Sequence, residues 1–225
     1  MPKAIISVTA KNPEQKDMLR TIASNNITFV KGVAGTGKTY VSVGYALQEL
    51  LKDNYEHMIL SRPVVEAGEK LGFLPGDLED KINPYMTPIF YSMEQLLGDH
   101  KGLLKKLTLK NGEQPRVRVL PLAYMRGVTC NNSVIICDEM QNSTPAQMRM
   151  VLTRFGEGSK MIVCGDIKQS DISMHNGLED AFGLLSDVKG VGFVTLSRAA
   201  VVRHPIIRHI DEKYENREKA IRQET

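Results

Sequence analysis

The stretch from Gly32 to Thr39, GVAGTGKT, constrains this chain more than any other feature. It fits G-x-x-x-x-G-K-[ST] at every specified position. Ile27 to Lys31 ahead of it reads as a short buried strand. Lys38 to Leu51 behind it reads as a helix, with Val43, Ala46, Leu47 and Leu50 at i, i+3, i+4, i+7. A glycine-rich turn between a strand and a helix can curl so that successive backbone N–H groups point at one anion. Gly32, Val33, Ala34, Gly35, Thr36, Gly37, Lys38 and Thr39 are therefore expected to hold the phosphates of a nucleoside triphosphate. Lys38 adds a full positive charge, Thr39 offers a hydroxyl to a magnesium ion, and the helix directs its positive end at the same place.

The remaining pattern alternates. His57 to Ser61 predicts a second strand. Leu78 to Leu97 predicts helix, with Pro84 and Pro88 expected to break or kink it. Leu107 to Lys110, Asn111-Gly112 and Arg116 to Leu120 together suggest a hairpin, since Asn-Gly suits the positive φ of a tight turn. Ser133 to Cys137 and Lys160 to Cys164 are apolar strands. Thr144-Pro145-Ala146-Gln147 opens a helix with a capping residue, a first-turn proline and a glutamine placed to bond back to the cap. A helix carrying Leu178, Ala181, Phe182 and Leu185, a strand from Gly192 to Leu196 and a helix from Pro205 complete the chain. Such alternation implies an α/β fold, a mostly parallel sheet flanked by helices on both faces, with ligands at the carboxyl ends of the strands. At 225 residues the expectation is a single domain over 1–225, with room for a small helix or hairpin insertion over 78–118.

Two acids follow the strand that ends at Cys137. Asp138 is placed to hold magnesium, and Glu139 to polarise an attacking water as general base. The run VCGDIKQS ends another strand, and Gln169 beyond it either senses a γ-phosphate, orients water, or simply belongs to a strand-end turn. The first two readings suppose that the glycine-loop strand and the acidic strand are neighbours in the sheet. In VVRHP, Arg203 is a candidate for stabilising transition-state charge, in cis or from a neighbouring subunit, or else a surface ion-pair partner; Arg198 is a second candidate. In NPEQK, Gln15 can pair with adenine through its amide, or merely begin a helix.

Composition narrows the setting. No apolar run approaches the length of a membrane span, and the N-terminus lacks a secretory pattern. Cys130, Cys137 and Cys164 form no CxxC pair, and Cys137 and Cys164 end apolar strands, which suits reduced thiols in the cytoplasm. The scattered histidines show no zinc-helix spacing, so no structural metal is expected. A net charge of +3 does not by itself demand a nucleic-acid partner. Lys101, Lys105, Lys106, Lys110, Arg116 and Arg118 cluster as either a solvated basic face or a phosphate-backbone contact.

Taken together, NPEQK, GVAGTGKT, SRPVVEAGEKLGFLPGDLEDKINPY, PLAYMRG, DEMQN, CGDIKQ and VVRHP resemble the PhoH family of phosphate-starvation-inducible ATPases, over nearly the whole chain. That family is similar to the motor core of superfamily-one helicases. The resemblance implies a RecA-like P-loop fold, ATP and Mg2+ as ligands, Gln15 reading adenine, Asp138 and Glu139 as magnesium-linked acid and catalytic base, Gln169 coupling the γ-phosphate to movement, and Arg203 as an arginine finger. It places Arg62, in SRP, near nucleic acid, and lets Arg126, in AYMRG, touch phosphate or RNA. Inter-element ion pairing is the alternative for both. Val33 stands where many members have proline and Met140 where many have alanine; neither position supplies chemistry. The PIN nuclease domain of some relatives is not expected.

Three functions fit these features. The first is an ATPase acting on single-stranded RNA or DNA, which with one RecA-like core implies a homo-oligomer, most simply a ring, hexameric if it follows that pattern, with Arg203 reaching a neighbour's ATP. The second is a nucleotide-dependent switch without translocation. The third is a P-loop kinase, disfavoured because adjacent acids followed by a γ-phosphate-sensing strand suit water activation.

Overall fold

A computed structural model describes residues 6–63, 78–108, 115–172, 176–204, 206–207, 209–210, 213–214 and 217, with only the backbone described at 78–85, 99 and 101. Much of SRPVVEAGEKLGFLPG, together with Lys110, Asn111-Gly112 and Pro205, therefore lies outside the described residues. The described elements are α1 (Pro13–Ser24), β1 (Ile27–Gly32), α2 (Lys38–Leu51), β2 (His57–Ser61), α3 (Leu78–Leu97), α4 (Lys101–Thr108), β3 (Val117–Val119), β4 (Ser133–Cys137), α5 (Pro145–Leu152), β5 (Lys160–Gly165), α6 (Gly177–Leu184) and β6 (Val191–Leu196), with short 3-10 turns between several of them.

The six strands form one sheet in the order β3-β2-β4-β5-β1-β6, and every pairing is parallel. All strands therefore point their carboxyl ends at the same edge. Successive side chains alternate between the two faces, and both faces are covered. Met58, Leu60, Val134 and Ile136 pack against Val43 and Leu47 of α2 and Ile89 and Met93 of α3. Ile59, Ile135 and Cys137 turn the other way, against Met148 and Val151 of α5 and Leu178 of α6. Met18 and Ile22 of α1 pack on Val30, Ile162 and Val194. The predicted α/β class and its RecA-like layering are what the chain forms.

Three local expectations change. The described part of the expected Leu107–Lys110 strand is not a strand: Leu107 and Thr108 end a helix, and β3 pairs with β2 in parallel, while the Asn111-Gly112 turn lies outside the described residues. Leu107 is buried in the α2–α3 core, which favours the helix over strand pairing. Pro84 and Pro88 do not break α3, which is one helix from Leu78 to Leu97. The missing N–H groups are tolerated because Met86, Ile89, Met93 and Leu97 hold one face buried. The basic stretch is also not one solvated face. Arg116 donates to the carbonyls of Leu50 (2.8 Å) and Tyr55 (3.0 Å) and pairs with Asp53 at 3.0 Å, while Arg118 contacts the His57 ring.

The caps follow the sequence. Thr144 and Gln147 form the reciprocal capping box of α5, with Pro145 in the first turn. Asn12 caps α1 by accepting from Gln15 N at 2.9 Å. The other end of α1 is held by Lys160, a buried ammonium on β5 that donates to the carbonyls of Ile22 and Asn25, both at 2.5 Å. A cation at a helix carboxyl end satisfies carbonyls the helix itself leaves unpaired. Lys160→Ala is expected to lower unfolding free energy by about 1–3 kcal/mol in urea denaturation, because those carbonyls lose a charged donor in a dry setting. An unchanged midpoint and slope would show that the cap contributes nothing.

Candidate functional site

The glycine loop joins β1 to α2 at the carboxyl edge of the sheet. Two of its glycines have a left-handed backbone. Gly35 has φ +80°, and a Cβ there would meet the Arg203 side chain at 2.6 Å; Gly37 has φ +86°, and a Cβ would meet Gln15 Nε2 at 2.7 Å. Lys38 folds over the loop, its Nζ donating to the carbonyls of Gly32 (2.6 Å) and Val33 (3.1 Å). Its charge thus already lies in the cradle formed by the loop.

Across the sheet edge, Thr39 Oγ1 donates to Asp138 Oδ1 at 2.9 Å. This contact brings together the first turn of α2 and the end of β4, positions 99 residues apart. The two strands are not neighbours, contrary to the assumption made for Gln169. β5 lies between them, so Gly165 and Asp166 end at the middle of the site. The order follows from the pairing of Val134 to Cys137 with Lys160 to Val163 and of Ile27 to Lys31 with Met161 to Gly165.

Asp138 is 2% exposed. Burial pushes its carboxyl up to about 6, with the neighbouring Glu139 adding to the rise and Arg62, Thr39 and Lys38 opposing it. Glu139 has a left-handed backbone, φ 54°. Its carboxylate accepts from Gln141 Nε2 at 2.6 Å and lies 3.6 Å from Arg62 Nη2. Arg62 leaves the end of β2, where Asp138 N donates to Ser61 O at 2.9 Å. Arg62 therefore stands within the acidic cluster rather than on a separate face.

Gln141 is a residue the sequence reading passed over. It is 1% exposed. Its Oε1 accepts from Asp166 N at 3.0 Å, and its Nε2 reaches both Glu139 and, at 3.4 Å, the carbonyl of Gln169. One amide thus links the acids to the end of β5. The only signal in the sequence was an amide two residues past the acids, indistinguishable there from a loop residue. Gln169 itself enters through its backbone carbonyl, and its side chain is exposed. Arg126 is also exposed, in the turn after Leu122–Tyr124.

Gln15 is buried, its Nε2 donating to Thr36 O (2.9 Å) and its Oε1 accepting from Lys11 N (2.8 Å). Arg203 packs over Gly35 of its own loop, and Val202 N donates to Gly35 O at 3.0 Å. Glu14 fastens the same segment by accepting from Ser197 N and Oγ, both at 2.6 Å. The structure therefore brings Gln15, the loop, Asp138, Glu139, Arg62 and Arg203 together, and leaves the Gln169 side chain and Arg126 facing solvent.

The donor set suits magnesium. A hydroxyl and a carboxylate are hard oxygen donors, and a buried acid whose proton is hard to lose gains from a nearby dication. Among the described residues no group of three or more His, Cys, Asp or Glu side chains is placed to hold a metal ion.

Residues 7–215 match the family described as PhoH-like protein. This chain belongs to the PhoH-like family. A PhoH-like protein from Synechocystis sp. is 46% identical over 213 residues, covering 94% of this chain and 63% of that protein. One from Bacillus subtilis is 42% identical, covering 93% and 64%, and Protein PhoH of Escherichia coli K12 is 39% identical, covering 87% and 55%. The chain thus spans between about half and two thirds of the length of these PhoH-like relatives. Two solved structures share the fold: the large terminase of a thermophilic bacteriophage, with TM-score 0.57 at 12% identity over 93% of this chain and 50% of that one, and the N-terminal domain of the DNA packaging ATPase from bacteriophage phi29, with TM-score 0.51 at 19% identity over 83% and 96%. At such identities the likeness concerns architecture alone. Among the described residues of this PhoH-like chain, no helix is long and apolar enough to cross a membrane.

The buried acid makes a pH prediction for the nucleotide-free protein. Its folded value, about 6, lies above the ordinary value of 3.8, so between the two the folded state holds more protons than the unfolded state. Stability therefore falls as pH rises through that window and levels off above it. Asp138→Asn is expected to remove this slope and to be more stable than the parent at pH 7, by on the order of 1–3 kcal/mol. Parallel denaturation curves for the two proteins from pH 4 to pH 8 would show the aspartate ionising freely.

Proposed function

We propose that this chain is a magnesium-dependent ATPase whose nucleotide sits in the Gly32–Thr39 loop. The observation that carries the reading is the 2.9 Å contact of Thr39 with Asp138, beside Glu139 and Lys38. A hydroxyl, a carboxylate, an ammonium and a second acid meeting at one helix N-terminus suit a triphosphate, its ion and an attacking water.

Each residue then has a physical task. The loop amides and Lys38 bind the β- and γ-phosphates, and the ammonium leaves the Gly32 and Val33 carbonyls to do so. Thr39 and Asp138 would hold magnesium, which when bound screens phosphate charge. Glu139 orients water and accepts its proton. Gln141 fixes that carboxylate and ties it to the end of β5, so a change at the γ-phosphate can reach 165–170, with Gln169 in the same turn. Arg62, 3.6 Å from Glu139, restrains the base, a role better supported by the contact than nucleic-acid binding. Arg203, lying over Gly35, can neutralise developing charge in cis.

The wider reading is a cytoplasmic homo-oligomer, a ring in its simplest form, acting on single-stranded RNA or DNA. It draws on the family and on two fold relatives, a large terminase and a DNA packaging ATPase. Arg126, exposed beyond β3, remains the candidate for a nucleic-acid contact under it.

Lys38→Ala is expected to abolish phosphate release by removing the charge that binds the phosphates. Glu139→Gln should retain ATP binding and lose at least about 100-fold in turnover. Phosphate release by these variants and the parent, with and without single-stranded RNA and DNA at several salt concentrations, tests the proposal. Parental turnover in Lys38→Ala would overturn the site, and binding of nucleotide with no turnover under any condition would leave a switch.

A further inference from the structure

Beside the glycine loop, between α1, α2 and α3, lies a cavity of about 300 Å³. Gly35 and Gly37 form its wall on the loop side, and Lys11, Gln15, Tyr40, Gln95 and Arg203 line much of the remainder. If phosphates occupy the loop, the sugar and base must leave it into adjoining space. This cavity is continuous with the loop and falls at the small end of the range for small-molecule sites, about 300–1,000 Å³, as suits a nucleoside.

The lining side chains are not equivalent. The Gln15 amide is engaged at both ends, with Thr36 O and Lys11 N, so it braces the loop against the start of α1. Tyr40, one residue past Thr39 on the first turn of α2, is the sole aromatic among the described lining residues. Gln95 reaches the cavity from an exposed position on α3. An aromatic ring offers a stacking face to any base. A glutamine amide both donates and accepts, matching the adjacent N–H donor and ring-nitrogen acceptor of adenine, whereas the corresponding guanine edge carries two acceptors.

We propose that Tyr40 and Gln95 hold the nucleotide base, Tyr40 by stacking and Gln95 by reading the donor–acceptor edge of adenine, so that α3 sets base preference. The proposal rests on the loop being a triphosphate site.

Calorimetric titration of the full chain with non-hydrolysable adenosine and guanosine triphosphate analogues, and with inorganic tripolyphosphate, tests it. Wild type should prefer the adenosine analogue. Tyr40→Ala should weaken both nucleotides by about ten-fold or more and leave tripolyphosphate within about two-fold. Tyr40→Phe should restore nucleotide affinity. Gln95→Ala should cut the adenine-over-guanine preference by about five-fold or more. Should Tyr40→Ala lose tripolyphosphate as well, its fold is damaged and the Gln95→Ala preference ratio decides. Nucleotide affinities unmoved in both alanine variants while tripolyphosphate still binds, or a wild type indifferent to the base, would overturn the base site and spare the loop. Failure of wild type to bind even tripolyphosphate would remove the loop reading and the base site together.

Discussion

The hydrogen bond from Thr39 to Asp138 depends on the whole sheet being right. It exists because β1 and β4 run in the same direction, are separated by one strand, and carry their carboxyl ends to the same edge of the sheet. A reversed strand or a shifted register at β5 would carry the acid away from the loop. The alternation of Met58 and Leu60 with Ile59, and of Val134 and Ile136 with Ile135, fixes that register, since both faces are covered by helices and a one-residue slip would exchange them.

The acids tolerate this position only because their surroundings are polar and crowded. Asp138 is buried and reluctant to ionise, yet it has the Thr39 hydroxyl, with Lys38 and Arg62 close enough to favour its charge. Glu139 is held by Gln141 and faces Arg62. Such a cluster of unlike charges around a buried acid costs stability, as clusters at functional sites commonly do. The loop shows the same economy of space. Gln15 and Arg203 press on Gly37 and Gly35, whose positive φ already disfavours a side chain, and α1 and the segment after β6 are thereby fastened to the glycine loop.

What was legible in the sequence was local. The glycine loop, the apolar strands ending at Cys137 and Gly165, and the Thr144 capping box announce themselves through spacing and period. What was not legible depended on partners far along the chain. Asn111-Gly112 suggested a hairpin, but β3 pairs in parallel with β2, which no turn signal can reveal. Pro84 and Pro88 suggested an interruption, but α3 continues through both while its apolar face packs on α2. Arg116 looked like part of a basic face until the carbonyls of Leu50 and Tyr55 claimed it. Gln141 looked like loop until burial and three partners made it the link between β4 and β5. The packing of Arg203 against Gly35 goes with the bond from Val202 to Gly35, a contact invisible in a short motif.

The central claim is that the loop, Lys38, Thr39 and Asp138 converge on one magnesium-bound triphosphate. A crystal structure of the chain grown with magnesium and a non-hydrolysable ATP analogue tests it most directly. The account predicts phosphates wrapped by residues 32–39, Lys38 Nζ turned from the Gly32 carbonyl onto phosphate, and an ion beside Thr39 Oγ1 on the Asp138 side. Phosphates bound elsewhere, or bound in the loop with the ion remote from both Thr39 and Asp138, would contradict it.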